Sequence, residues 1–342
     1  MTVKLALDKV LSHQSLSQKE AYQVLSTIIG EEAPAPELVA ALLTALRMKG
    51  ETIEEFSGFV QAMRDAMVKI DVDITNAVDL CGTGGDASGT FNISTTTMFV
   101  VAGAGVPVLK HGNRSVSSQS GSADVLEKLG AVVTLPINKV KACYEQTQMA
   151  FMFAPLFHTA MKWVMPVRRT LGVRTFFNVV GPLLNPALVS RQLVGAYDLE
   201  TATKMSQILE NVGVEKAFTF HSRDGLDELS IGAQIDGFLV GDGKRLSETV
   251  TATDYGIPIA KLEELKGGNA ELNAQILRDV VSGTDKGPKS DIVVLNAGYA
   301  LYVSGKFDSP KAGIEAARDA IISGAAKNAL DTFIKTTQKL AE

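Results

Sequence analysis

The sequence predicts an α/β protein in two parts: a small N-terminal helical domain over residues 1–71 and a larger α/β domain over 72–342. Three observations carry this expectation. The first part repeats helical apolar spacing with marked ends and shows no strand pattern. After Asp73, short apolar runs alternate with helical or glycine-rich segments, the texture of an α/β domain. A length of 342 residues also suits two domains better than one.

Taken in order, Ser17 with Glu20 forms a capping box, and Ala21, Val24, Leu25, Ile28 and Ile29 give one apolar face before Gly30. Pro36 and Glu37 open the next helix, which runs through Leu38, Leu42, Ala45 and Leu46 to Gly50. Thr52 and Glu55 repeat the capping box ahead of Phe56, Phe59, Val60, Met63 and Met67. The apolar runs "AVDLC", "VPVLK", "AVVTL", "LVGAY", "AFTFH" and "DIVVL" then follow as strand candidates. One piece interrupts them. The segment around 162–185, rich in Pro and Arg, is expected to return to the helical domain or to bridge the two.

Composition limits the function classes. With 46% hydrophobic residues, 21% charged and a net charge of −5, the chain lacks the broad basic character that nucleic acid or an anionic membrane would select. Asp8 and Lys9 interrupt the N-terminal apolar pattern, and no run approaches a membrane span, so a cytoplasmic protein is expected. Cys81 and Cys143 make neither a disulfide framework nor a CxxC pair, and Cys81 reads as a small buried hydrophobe.

The stretch Asp79–Thr95, "DLCGTGGDASGTFNIST", holds four glycines between an apolar run and a Ser/Thr cluster. Gly82-x-Gly84-x-x-Ala87 has dinucleotide-fold spacing but lacks the acidic residue expected further on, and Gly84-x-x-x-x-Gly89 is followed by Thr90 where a triphosphate loop needs lysine. Between Asp86 and Asp124 there is no acidic residue, whereas Lys110, His111 and Arg114 lie inside that window. Asn92, Ser94, Thr95 and Thr96 stand where a helix would begin with donors aimed outward, and Ser122 is positioned to cap a second helix closed by Gly130. Two helix starts, two polar loops and three basic side chains describe a pocket for a ligand with more than one anionic group.

Asp224, Asp227 and Glu228 fall together after the strand candidate "AFTFHS", where open α/β sheets bind ligands. Adjacent carboxylates suit magnesium, which takes one or two of them and completes its shell with water and phosphate oxygens; a solvated acidic turn is the alternative. Arg168, Arg169 and Arg174 lie in an otherwise apolar segment, and an arginine fork matches a carboxylate. His13, His158 and His221 have no ligand spacing, so no zinc site is expected.

The motifs "CGTGGDASGTFNIST", "KHGNRSVSSQSGSADVLEKLG", "PVRRTLGVRTFFNVVGPLLNP", "DGLDE" and "LNAGYALYVSGK", in this order, resemble the anthranilate phosphoribosyltransferase family of the nucleoside phosphorylase and phosphoribosyltransferase superfamily. The resemblance covers nearly the whole chain. It implies a hinge between the helical domain and a central mixed, mostly parallel sheet flanked by helices, a homodimer, magnesium (Mg2+) as cofactor, and anthranilate and 5-phosphoribosyl 1-diphosphate as substrates. By the same resemblance Gly82, Gly85, Asp86, Thr90, Asn92, Ile93, Ser94 and Thr95 would line the sugar diphosphate. Lys110, His111, Gly112, Asn113, Arg114, Ser115, Val116, Ser117, Ser118 and Ser122 would complete that site. Ser94, Asp227 and Glu228 would hold the metal, and Gly82, Asn113 and Arg168 would meet anthranilate. Thr159 departs from the family pattern near the hinge, where proline is expected.

Because the acceptor nitrogen is a neutral aniline, no essential acid or base is expected, and His111 is at most a modest contributor. A pyrimidine nucleoside phosphorylase shares "KHGNR" and the glycine loop but has no use for paired carboxylates and magnesium. A non-catalytic nucleic-acid-binding relative would need a basic face.

Overall fold

A computed structural model describes residues 1–31, 33–115 and 119–342. Helices α1 (Val3–Leu11), α2 (Gln18–Ile28), α3 (Pro36–Lys49) and α4 (Ile53–Ala66) come first. Both capping boxes form as the sequence pattern requires, with Ser17 and Thr52 as the caps. Glu55 does more than cap. Its fully buried carboxylate accepts the Leu16 N–H at 2.8 Å and pairs with Lys49 at 2.9 Å, tying the entry to α2 to the start of α4.

The chain then alternates: β1 (Asp79–Gly82), α5 (Ile93–Gly103), β2 (Val108–Gly112), α6 (Ser122–Lys128), α7 (Ile137–Thr147) and β3 (Met149–Phe153). Short helices α8 (Ala154–Phe157), α9 (Met165–Leu171) and α10 (Phe177–Val180) lead to β4 (Arg191–Gly195). After α11 (Leu199–Asn211) come β5 (Lys216–Ser222), β6 (Ile235–Gly241) and β7 (Lys244–Val250). Four helices close the chain: α12 (Ala270–Val281), α13 (Pro288–Val303), α14 (Pro310–Ile322) and α15 (Ala325–Ala341).

Five strands form a mixed sheet in the order β1-β4-β5-β6-β7, parallel as far as β5 and antiparallel beyond it. Strands β2 and β3 pair in parallel, and the Val78–Val108 bridge joins them to the free side of β1. From β1 the chain therefore moves to β2 and β3 on one side, then returns to β4 on the other. That reversal opens a crevice at the carboxyl end of β1, the usual ligand position in an open α/β sheet. One apolar core packs α5 and α12–α15 on the sheet. A second joins Phe56 and Phe59 of α4 to Val167, Phe177 and Leu183, and runs on into Met205 and Leu209 of α11, with Phe59 and Phe176 stacked at 4.1 Å.

Two strand expectations are corrected. "DIVVL" lies inside α13, whose first turn holds Pro288; a continuous apolar run fits a buried helix as well as a buried strand. "AVVTL" forms no strand, and Val132 donates instead to the Thr337 hydroxyl of α15. Conversely, α1, β3, β6 and β7 are elements that the sequence pattern did not mark out. Asp242 and Gly243, both at positive φ, make the two-residue turn between β6 and β7, and that Asp-Gly pair was the available signal.

Candidate active site

The glycine loop leaves β1 at the crevice, and the acidic loop after β5 meets it there. Asp227 accepts the Gly84 N–H at 2.6 Å, and Glu228 accepts the Ser94 N–H at 3.0 Å at the start of α5. Two glycines admit the acidic loop. A Cβ on Gly82 would run into the Asp227 carboxylate, and one on Gly195 into the Asp227 main chain. Both carboxyls are pushed up out of the ordinary carboxylate range. For Asp227 burial is the main cause and Asp86 the next; for Glu228 it is burial, then Asp227. Asp224 is engaged separately, its carboxylate accepting the Ser230 hydroxyl at 2.5 Å.

These residues fit a magnesium ion. Asp227 and Glu228 crowd each other and Asp86, and the Lys110 ammonium near Glu228 is committed to the Ser94 hydroxyl at 3.1 Å and to the Leu80 carbonyl. The negative charge is therefore under-compensated, and the Ser94 oxygen stands beside it. No group of three or more His, Cys, Asp and Glu side chains gathers as a metal cluster among the described residues. Magnesium does not need one, because phosphate and water supply most of its shell.

The helix starts differ in part from expectation. A helix begins at this stretch as anticipated, with Asn92 just before its first turn and making no side-chain cap bond, but Ile93 and Thr95 point into the core, and Thr96 turns its hydroxyl back to the Asn92 carbonyl. Only main-chain groups of Ile93 and Thr95 could meet a ligand. Gly121, not Ser122, caps α6: the Asp124 carboxylate reaches back to the N–H groups of Gly121 and Ser115, leaving Ser122 as the first helical residue. Thr90 stands beside Ser88 in the loop, and Asn113 is exposed, its Oδ1 accepting the Arg114 N–H. Val116, Ser117 and Ser118 lie outside the described residues.

The electropositive window is corrected as well. Arg114 is engaged by Glu127 in two hydrogen bonds, at 2.5 and 2.6 Å, and by Asp124. Lys110 is 2% exposed above Asp79, whose Oδ1 accepts the His111 N–H. His111 meets His158 Nε2 to Nε2 at 3.1 Å. Burial, then His158 and Lys110, pulls His111 down to about 3, and burial pulls His158 down to about 4, so both rings are neutral at pH 7. Sequence spacing assigns His158 no role, because forty-seven residues separate it from His111 and only the pairing of β2 with β3 brings them together.

The returning segment closes this side through its main chain. The Pro182 carbonyl accepts from Gln192 at 2.9 Å and the Leu183 carbonyl from Arg64 of α4 at 3.0 Å. Arg168 lies half-buried over the Phe177 ring at 5.1 Å and makes no ion pair among the described residues. Arg174 stacks on Tyr197 at 4.1 Å and donates to the Gly85 carbonyl, a loop contact with no signal in the residue pattern. Cys81 is only partly buried, its thiol against the Pro182 carbonyl and pushed well up by burial.

A glycine loop bonded to paired carboxylates at the carboxyl end of β1 fits a site for an anionic ligand together with a metal. Family comparison agrees: residues 74–327 match the glycosyl transferase family a/b domain, and residues 4–67 match its helical bundle domain. The chain is 47% identical over 337 residues to the anthranilate phosphoribosyltransferase of Salinibacter ruber, covering 97% of this chain and 98% of that one. The Thermoanaerobacter sp. enzyme is 44% identical, with 98% of each covered. Among solved structures, anthranilate phosphoribosyltransferase from Thermus thermophilus superposes with a TM-score of 0.91 at 38% identity, over 97% of this chain and 99% of that one. The Saccharomyces cerevisiae enzyme in complex with PRPP and Mg gives 0.90 at 26% identity, with 98% of each covered. The chain belongs to the anthranilate phosphoribosyltransferase family.

Proposed function

We propose that the protein transfers the phosphoribosyl group of 5-phosphoribosyl 1-diphosphate to the amino group of anthranilate, giving N-(5-phosphoribosyl)anthranilate and diphosphate, a step of tryptophan biosynthesis. The observation that carries this reading is the meeting of Asp227 and Glu228 with the Gly84 and Ser94 N–H groups at the carboxyl end of β1. Gly82, Gly85, Asp86, Thr90, Asn92 and the main chain of Ile93–Thr95 hold the sugar diphosphate from one side. Lys110, His111, Gly112, Asn113, Arg114 and Ser115, with Ser122, hold it from the other. Asp227, Glu228 and Ser94 hold magnesium, which supplies positive charge against a diphosphate leaving group.

In this reading the bond from the anomeric carbon to diphosphate breaks, and its electron pair leaves with the diphosphate. Lys110 lies where it can offset part of that growing charge. The aniline nitrogen of anthranilate attacks with its own lone pair and loses a proton afterwards. Arg168, with no ion pair among the described residues, takes the carboxylate of anthranilate, with Asn113 and Gly82 beside it. Neutral His111 is at most a modest proton acceptor. The reading extends to a helical unit over 1–71 joined by 162–185 to the unit over 72–342, and to a cytoplasmic homodimer.

Loss of anthranilate fluorescence on mixing the protein with the sugar diphosphate and magnesium, abolished by a chelator, is the expected result. No loss with folded protein would overturn the assignment.

A further inference from the structure

Asn92 opens α5 at the end of the glycine loop, and protein engages both edges of its side-chain amide. Its Oδ1 accepts from Asn273 Nδ2 at 2.9 Å, and its Nδ2 donates to the Ser120 carbonyl at 3.1 Å. Ser120 ends the serine-rich loop just ahead of α6. One side chain thus ties the glycine loop to the serine loop.

Asn273, on α12, is 2% exposed, and its Oδ1 accepts the Gly268 N–H at 2.8 Å. The run before it braces the glycine loop directly. Phe91 donates to the Leu265 carbonyl at 3.3 Å, Gly267 donates to the Gly89 carbonyl at 3.0 Å, and Lys266 donates to the Ser88 carbonyl. Gly267 lies so close that a Cβ there would meet the Phe91 main chain at 2.6 Å.

We propose that Asn273 is a positioning residue for the sugar diphosphate site, fixing the orientation of the Asn92 amide so that the two phosphate-facing loops keep one spacing. The inference rests on the reading of the cleft given above. Its logic is directional. Only an amide of this length accepts on one edge and donates on the other, and Asn273 decides which edge faces Ser120. With the Asn92 amide reversed, its oxygen would oppose the Ser120 carbonyl, leaving two acceptors face to face.

Asn273→Asp is the informative variant. It keeps the shape and the Gly268 bond but offers Asn92 an acceptor in place of a donor. Either the contact to Asn273 or the contact to Ser120 must then be lost. One neutral hydrogen bond lost between the loops predicts about a tenfold rise in KM for the sugar diphosphate. The KM for anthranilate should stay within about twofold. Asn92→Ala should show the same split, and adding Asn273→Asp to it should produce no further rise, because the two residues act as one unit.

The experiment is a calorimetric titration of the full chain with the sugar diphosphate and magnesium, followed by steady-state kinetics of wild type, Asn273→Asp, Asn92→Ala and the double variant. Wild type that fails to bind the sugar diphosphate overturns the underlying reading and this inference with it. Wild type that binds while folded Asn273→Asp binds equally well overturns the inference alone. So does a parallel rise in both Michaelis constants, or additive effects in the double variant.

Discussion

Truncating Arg168 to alanine removes a guanidinium that lies half-buried over Phe177 with no carboxylate of its own among the described residues. Burial already holds this group below the ordinary arginine range, so the fold bears a cost for a cation that it does not pair. A charge-assisted hydrogen bond contributes about 1.5 to 3 kcal/mol, and about 1.4 kcal/mol is tenfold, so losing the anthranilate carboxylate contact should raise KM for anthranilate roughly 10- to 150-fold. The KM for the sugar diphosphate should hardly change. Stability should not fall, because the cation removed is desolvated and unpaired. Arg168→Lys keeps the charge without the planar fork and should recover only part of the loss. Steady-state fluorescence kinetics with each substrate varied, together with a thermal melt, provide the assay. An equal rise in both Michaelis constants, or a melt lowered by several degrees, would refute the reasoning.

Asp227→Asn and Glu228→Gln remove carboxylates that burial disfavours, so each variant should melt no lower than wild type while needing more magnesium for half-maximal turnover; an unchanged magnesium requirement in both would remove the pair from the metal site. His111 and His158 are held neutral, with folded values near 3 and 4 below an ordinary 6.5, so the unfolded chain binds protons that the folded chain refuses. Stability should therefore fall as pH drops from about 6.5 toward 4, by up to about 1.4 kcal/mol per unit for each ring. Urea unfolding at pH 7, 6 and 5 measures this slope, and His158→Gln should flatten it. Glu55→Ala leaves the buried Leu16 N–H without its acceptor and takes the carboxylate from Lys49, whose ammonium keeps Ser15 and Gly50, and should cost about 2 to 4 kcal/mol in the same titration.

Local chemistry was the most legible part of the sequence. The capping boxes at Ser17 and Thr52 form because their partners lie three residues away, whereas Asn92 at the start of α5 makes no side-chain cap bond and gives its amide to Asn273 and Ser120. Distance along the chain was the limit. Counting acids between Asp86 and Asp124 suggested a positive pocket, but Asp79, Glu127, Asp227 and Glu228 arrive from outside that window and surround its basic groups. The strand reading of "DIVVL" failed for a related reason. A helix buried on all sides has no polar face, so its periodicity is erased. The motif order nevertheless identified the family, since motifs preserve the outcome of tertiary contacts that composition cannot express.

The Gly181–Leu183 run speaks to a different kind of information. Its Pro182 and Leu183 carbonyls serve partners from β4 and α4 while the Gly181 carbonyl closes the turn on Leu184, yet its own side chains perform none of this work. A survey that exchanges side chains one at a time would pass over the segment. Its message is written in the path of the main chain, and backbone chemistry, such as replacing one of these amides by an ester, would be needed to read it.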